Sequence, residues 1–131
     1  MAVKILIAED DIQLLEMYKM KFELEGFEVY SVEDGQRALE EIKNVNPDVV
    51  LLDLMMPIVD GFGVLKQIKQ DPMLSNLIVI ILTNLADEKT AEEIYKLGAT
   101  EYLIKSELTP LEVAVRVKEL ISYYKKDQLK K

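Results

Sequence analysis

The 131-residue sequence predicts an α/β fold, a parallel five-stranded sheet wound by helices on both faces, on three observations. Short β-branched runs alternate five times with longer segments of helical period, as repeated strand–helix units do. The runs 48–53 and 77–83 are almost continuously apolar, as expected of strands buried on both sides of a parallel sheet. Gly26, Pro47 and Gly98 fall between the periodic segments, where the chain must stop one element before starting the next.

Residues 3–8 are the first strand. Residues 11–25 form a helix with Leu14, Leu15, Tyr18 and Phe22 on one face, closed by Gly26. The second strand is 27–31. Asp34 suits an N-cap for the helix 35–44, whose Ala38, Leu39 and Ile42 face inward, and Pro47 precedes the third strand, 48–53. Asp60 caps a third helix over 61–70. The fourth strand, 77–83, leads to a helix over 87–97 stopped by Gly98, and 100–104 is the fifth strand. Thr109-Pro110-Leu111-Glu112 is a capping box with proline at the first helical position, and the last helix runs to about Tyr124. One domain therefore occupies 1–124. Residues 125–131 read as a short basic tail or the start of a linker, with lysines that suit a helix C-terminus.

Right-handed crossovers leave few topologies for such a chain. The expected one is doubly wound and flavodoxin-like, with strand order 2-1-3-4-5, five flanking helices and a ligand site at the carboxyl ends of strands one and three. Half the residues are apolar, enough for a real core. Aspartate and glutamate number 24 against 16 lysines and arginines, and the net charge of −8 argues against direct nucleic-acid binding. Without cysteine there is no disulfide, thiolate metal site or thiol nucleophile. No signal segment and no apolar run of membrane-spanning length is visible, so a soluble, cytoplasmic protein is expected.

Four strand ends carry polar groups: Glu9-Asp10-Asp11, Asp53, Thr83 and Lys105. Each has a plain structural alternative. Asp10 and Asp11 suit a helix cap, Asp53 a turn before Pro57, Thr83 a strand, Lys105 solvent, and Tyr102 packing. Their coincidence at one sheet edge points instead to a phosphoryl acceptor, in which a carboxylate attacks phosphorus in line and catalysis is positioning plus charge neutralisation. Glu9, Asp10 and Asp53 would repel the donor unless a cation joined them. Oxygen ligands and a phosphoryl substrate favour magnesium, with manganese as a substitute. Lys105 and the Thr83 hydroxyl would meet the phosphoryl oxygens. The chain contains no histidine, so any phosphohistidine donor is another protein.

These residues resemble the response regulator receiver family over roughly residues 3–122. Asp48 leading to Leu51-Leu52-Asp53, then Met56-Pro57 and Asp60-Gly61, is similar to its phosphoacceptor motif; Gly98-Ala99, Tyr102 and Lys105 resemble its lysine motif. The resemblance implies a phospho-accepting switch fed by a sensor histidine kinase or phosphotransfer protein rather than a turnover enzyme. It implies Asp53 as acceptor and Glu9, Asp10, Asp53 and the Met55 carbonyl as magnesium ligands. Thr83 and Lys105 become the phosphoryl sensors and Tyr102 the switch aromatic. Output to a downstream protein would pass through the face made by helix four, strand five and helix five, about residues 87–124. Two positions depart from the family pattern. Ser106 stands where proline usually follows the lysine, and Asn84 stands where a small residue usually follows the threonine and is expected to narrow access to Asp53. A degenerate receiver acting as a phosphorylation-independent binding module is the alternative. A flavin-binding protein is disfavoured by the acids after strand one, and a haloacid-dehalogenase-type phosphatase by Met55 where a second aspartate is needed. Gly61-Phe62-Gly63 lacks the rest of a nucleotide-binding glycine motif.

Overall fold

The computed structural model describes residues 2–85 and 87–129, the last four by backbone alone. Met1 and, of the basic tail, Lys130 and Lys131 lie outside the described residues. Five parallel strands, β1 (Lys4–Ala8), β2 (Glu28–Val32), β3 (Val49–Leu52), β4 (Ile78–Thr83) and β5 (Glu101–Ile104), are ordered β2-β1-β3-β4-β5. Five helices connect them: α1 (Ile12–Leu24), α2 (Gly35–Val45), α3 (Gly61–Gln70), α4 (Glu88–Lys96) and α5 (Pro110–Leu129).

Side chains alternate across a strand, so β1, β3 and β4 supply two cores at once. Ile5, Ile7, Leu51 and Ile80 pack against Tyr18 and Phe22 of α1 and Val113 and Val117 of α5. Leu6, Val50 and Ile81 pack against Ile42, Val64, Leu65 and Ile94 from α2, α3 and α4. Every residue of β3 and β4 is buried, which is why those segments read as continuous apolar runs.

Asp11, Asp34, Asp60 and Asp87 each accept the backbone N–H three residues on, at 3.1, 2.8, 2.9 and 3.1 Å, and start α1, α2, α3 and α4. In the capping box of α5, Thr109 N–H donates to Glu112 Oε1 at 2.9 Å and Glu112 N–H to Thr109 Oγ1 at 3.2 Å. The second strand starts one residue later than its apolar run. Gly26, at φ 91°, ends α1 with its N–H on Glu23 O, and the Phe27 N–H turns back to Phe22 O. That closure stacks the Phe27 ring edge-on against Phe22 at 5.1 Å, so Phe27 serves the helix end rather than the strand. α5 extends beyond Tyr124 to Leu129, and short 3₁₀ turns occupy Pro72–Leu74 and Lys105–Glu107.

The register sets the site. Ala8 pairs with Leu52, Leu52 with Ile81 and Thr83 with Ile104, so the strands end nearly level. The chain runs from β1 out to β2 and returns to β3, opening a crevice where the order reverses.

Candidate functional site

Glu9 and Asp53 are the first residues beyond β1 and β3. Backbone bonds hold both in place, from Glu9 N–H to Val32 O and from Asp53 N–H to Ala8 O, each at 3.1 Å. Gly61 completes this support from α3. Its N–H donates to Leu54 O at 2.9 Å, and a Cβ there would lie 2.5 Å from the Asp53 carbonyl oxygen, so only glycine lets α3 begin so close to the acid. Between them the chain turns sharply through Ile58, a β-branched residue at φ 71° that no sequence signal announces.

Glu9, Asp10 and Asp53 offer carboxylate oxygens within 4.8 Å of one another. Asp11 is separate, its carboxylate committed to the α1 cap, so the acidic run divides into two ligand candidates and one cap. Glu9 is 2 % and Asp53 5 % exposed, although charged groups are rarely buried without partners. Lys105 answers part of that charge, its Nζ lying 2.9 Å from Asp53 Oδ2 and 2.5 Å from Glu9 Oε1. Both contacts pair a buried carboxylate with the same ammonium. Three acids against one ammonium leave excess negative charge, and like charges about 5 Å apart at an effective dielectric near 20 cost on the order of 3 kcal/mol per pair. An all-oxygen ligand set and surplus negative charge suit a small divalent cation.

The titration of the group bears the same stamp. Burial chiefly pushes Glu9 up to about 7; Lys105 opposes the shift and Asp53 adds to it. Burial works against the Lys105 charge, but its bonds to Glu9 and Asp53 outweigh that and hold the ammonium above its ordinary range.

Thr83, fully buried at the end of β4, accepts the Leu85 N–H at 3.1 Å and keeps its hydroxyl proton for another acceptor. Met55 donates its N–H to Asp53 Oδ1 at 3.2 Å, and its side chain, like that of Leu85, stands exposed. Tyr102 lies at one remove, half-buried on β5, its ring edge-on to Tyr95 of α4 at 6.2 Å. The Tyr95 hydroxyl donates to Glu101 at 2.9 Å, linking α4 to β5. Asn84, expected to narrow access to Asp53, is exposed, and its Oδ1 accepts the Ser106 N–H at 2.8 Å. Sequence reasoning missed that bond. Among the described residues every peptide bond is trans, that between Lys105 and Ser106 included.

A family model described as the response regulator receiver domain matches residues 5–116. The receiver domain of Francisella response regulator 1452 superposes with a TM-score of 0.83 at 34 % identity, covering 92 % of this chain and 98 % of that one. The signal receiver domain of a DNA-binding response regulator from Colwellia psychrerythraea gives 0.81 at 31 %, covering 92 % and 98 %. The transcriptional regulatory protein SrrA of Staphylococcus aureus is 36 % identical over 124 residues, covering 92 % of this chain and 48 % of that protein. The chain thus spans about half the length of the curated relatives it matches. No helix among the described residues is long and apolar enough to cross a membrane.

Proposed function

The chain belongs to the response regulator receiver domain family of two-component signalling, and we propose that it is a phospho-accepting switch whose acceptor is Asp53. One observation carries this: a buried aspartate at the switch point of the sheet, bonded to Lys105 and grouped with Glu9 and Asp10. An Asp53 carboxylate oxygen attacks phosphorus, the new P–O bond forms as the P–N bond of a phosphohistidine breaks, and the imidazole leaves with the electron pair and takes up a proton. The donor is a sensor histidine kinase or phosphotransfer protein, since this chain has no histidine.

Magnesium, or manganese in its place, held by Glu9, Asp10, Asp53 and the Met55 carbonyl, would supply the positive charge that lets a phosphoryl anion approach. Lys105 neutralises a phosphoryl oxygen from the opposite side, and Thr83 turns its hydroxyl from its local bond toward another. Movement of Thr83 reaches Tyr102, whose contact with Tyr95 makes the α4–β5–α5 face the output surface for a downstream protein. The site works on its own acid rather than turning over an external substrate, and this chain does not bind nucleic acid directly. A cytoplasmic location follows from a phosphohistidine donor.

Incubation with acetyl phosphate and magnesium tests this by mass spectrometry. The expected result is a gain of one phosphoryl group, mapped to Asp53 and abolished by chelation. Folded protein that gains nothing would leave a binding module independent of phosphorylation.

A further inference from the structure

The two loops that carry Thr83 and Lys105 are tied to each other beyond the end of the sheet. Thr83 and Ile104 form the last paired step between β4 and β5. Just past it, the Asn84 carboxamide oxygen accepts the Ser106 N–H at 2.8 Å, a bond spanning 22 residues of sequence. An exposed asparagine ordinarily turns its side chain onto the backbone two residues on. Here the Thr83 hydroxyl holds the Leu85 N–H, and the Asn84 side chain reaches across to the other loop.

The bond needs both residues. A proline at 106 has no N–H to donate, and a small apolar residue at 84 has no acceptor. Asn84 adjoins Thr83 in the chain, and Ser106 adjoins Lys105, whose Nζ contacts Glu9 and Asp53. Resting on the phosphoryl-acceptor function above, we propose that Asn84 and Ser106 are paired positioning residues that join the two phosphoryl-sensing loops, so that Thr83 and Lys105 are set, and move, together.

Asn84→Leu removes the acceptor while keeping the number and branching of side-chain heavy atoms, and Ser106→Pro removes the donor. In metal-free protein followed by NMR, the Ser106 amide proton should exchange about fivefold faster in Asn84→Leu, the worth of roughly one neutral hydrogen bond, while Asn84→Asp keeps an acceptor and preserves slow exchange. Equal exchange in wild type and Asn84→Leu would overturn the bond. Phosphorylation of Asp53 by phosphoramidate in magnesium should slow about fivefold in each single variant and no further in the double variant, with magnesium affinity unchanged. Effects that multiply, or a wild-type rate in Asn84→Leu, would overturn joint positioning. Wild-type protein that takes no phosphoryl group would instead overturn the proposed function, and the positioning role with it, whatever the amide exchange shows.

Discussion

Asp48 and Asp53 bracket the same strand, and their surroundings have little in common. At the N-terminal end of β3, the Asp48 side chain is 40 % exposed, accepts the Lys4 N–H at 2.9 Å and stands 3.9 Å from Lys125 Nζ. It ties the start of β1 to the start of β3, and water carries most of its charge. At the other end Asp53 is buried beside the buried Glu9, with the exposed Asp10 and one lysine next to them. A surface cavity of about 240 Å³ lies at the Asp48 end, lined in part by Asp48, Asn76 and Lys125. An acid with a purely structural task can stay half in water. Burying two together opposes folding, and the arrangement makes sense when the site must receive charge from outside.

Substitutions at the Asp53 end should therefore alter signalling with modest effects on the fold. The largest effect is expected from Lys105→Ala, which should still bind metal yet lose the link from phosphorylation to the output face. Tyr102 and Tyr95 NMR signals that shift on phosphorylation in wild type should stay in place in this variant; a full shift would remove Lys105 from the relay. Asp10→Asn deletes one ligand and one charge and should weaken magnesium binding by about tenfold or more in a calorimetric titration near neutral pH. Unchanged affinity would return Asp10 to a surface role.

Smaller changes are expected at the rim. Met55 and Leu85 lie two residues beyond the acceptor and two beyond Thr83, and neither side chain can orient a water molecule by hydrogen bonding. The phosphorylated state should be long-lived. Met55→Asn with Leu85→Glu should shorten it by roughly tenfold, about 1.4 kcal/mol in barrier, followed as loss of phosphoprotein after donor removal. A decay no faster than the parent's would show that these positions do not set the lifetime.

The Glu9 shift makes the comparison sensitive to pH. Glu9 rises from 4.5 to about 7 in the folded protein, which therefore holds an extra proton between those values. Its contribution to stability is complete below the lower value and is lost as pH rises through the upper one. Metal-free protein should accordingly show a falling urea midpoint across that window, and Glu9→Gln should flatten the fall. An identical slope in both proteins would assign the pH dependence to other groups.

Most of the fold was legible because each element declares itself locally. Four aspartates cap helices, Gly26 and Gly98 end them, and the buried strands β3 and β4 are continuous apolar runs. Glu9, Asp10, Asp53, Thr83 and Lys105 were legible because they are the polar groups at ends of such runs, and parallel topology gathers those ends. What escaped depends on partners distant in sequence or on local geometry without a residue signature. Asn84 has an acceptor and Ser106 a donor, but nothing local joins them across 22 positions. Ile58 enters the left-handed region without glycine or asparagine to mark it. The 3₁₀ turn over Lys105–Glu107 and the extension of α5 past Tyr124 lack clear stop or start residues.

The two ends of β3 hold chemically different aspartates, and the direct measurement of that difference is phosphoryl incorporation from acetyl phosphate in magnesium into Asp48→Asn and Asp53→Asn beside wild type, with the fold of each verified by circular dichroism. Asp48→Asn should incorporate the group as wild type does, while Asp53→Asn, folded and nearly isosteric, should incorporate none. Incorporation that persists in folded Asp53→Asn would place the acceptor on another residue.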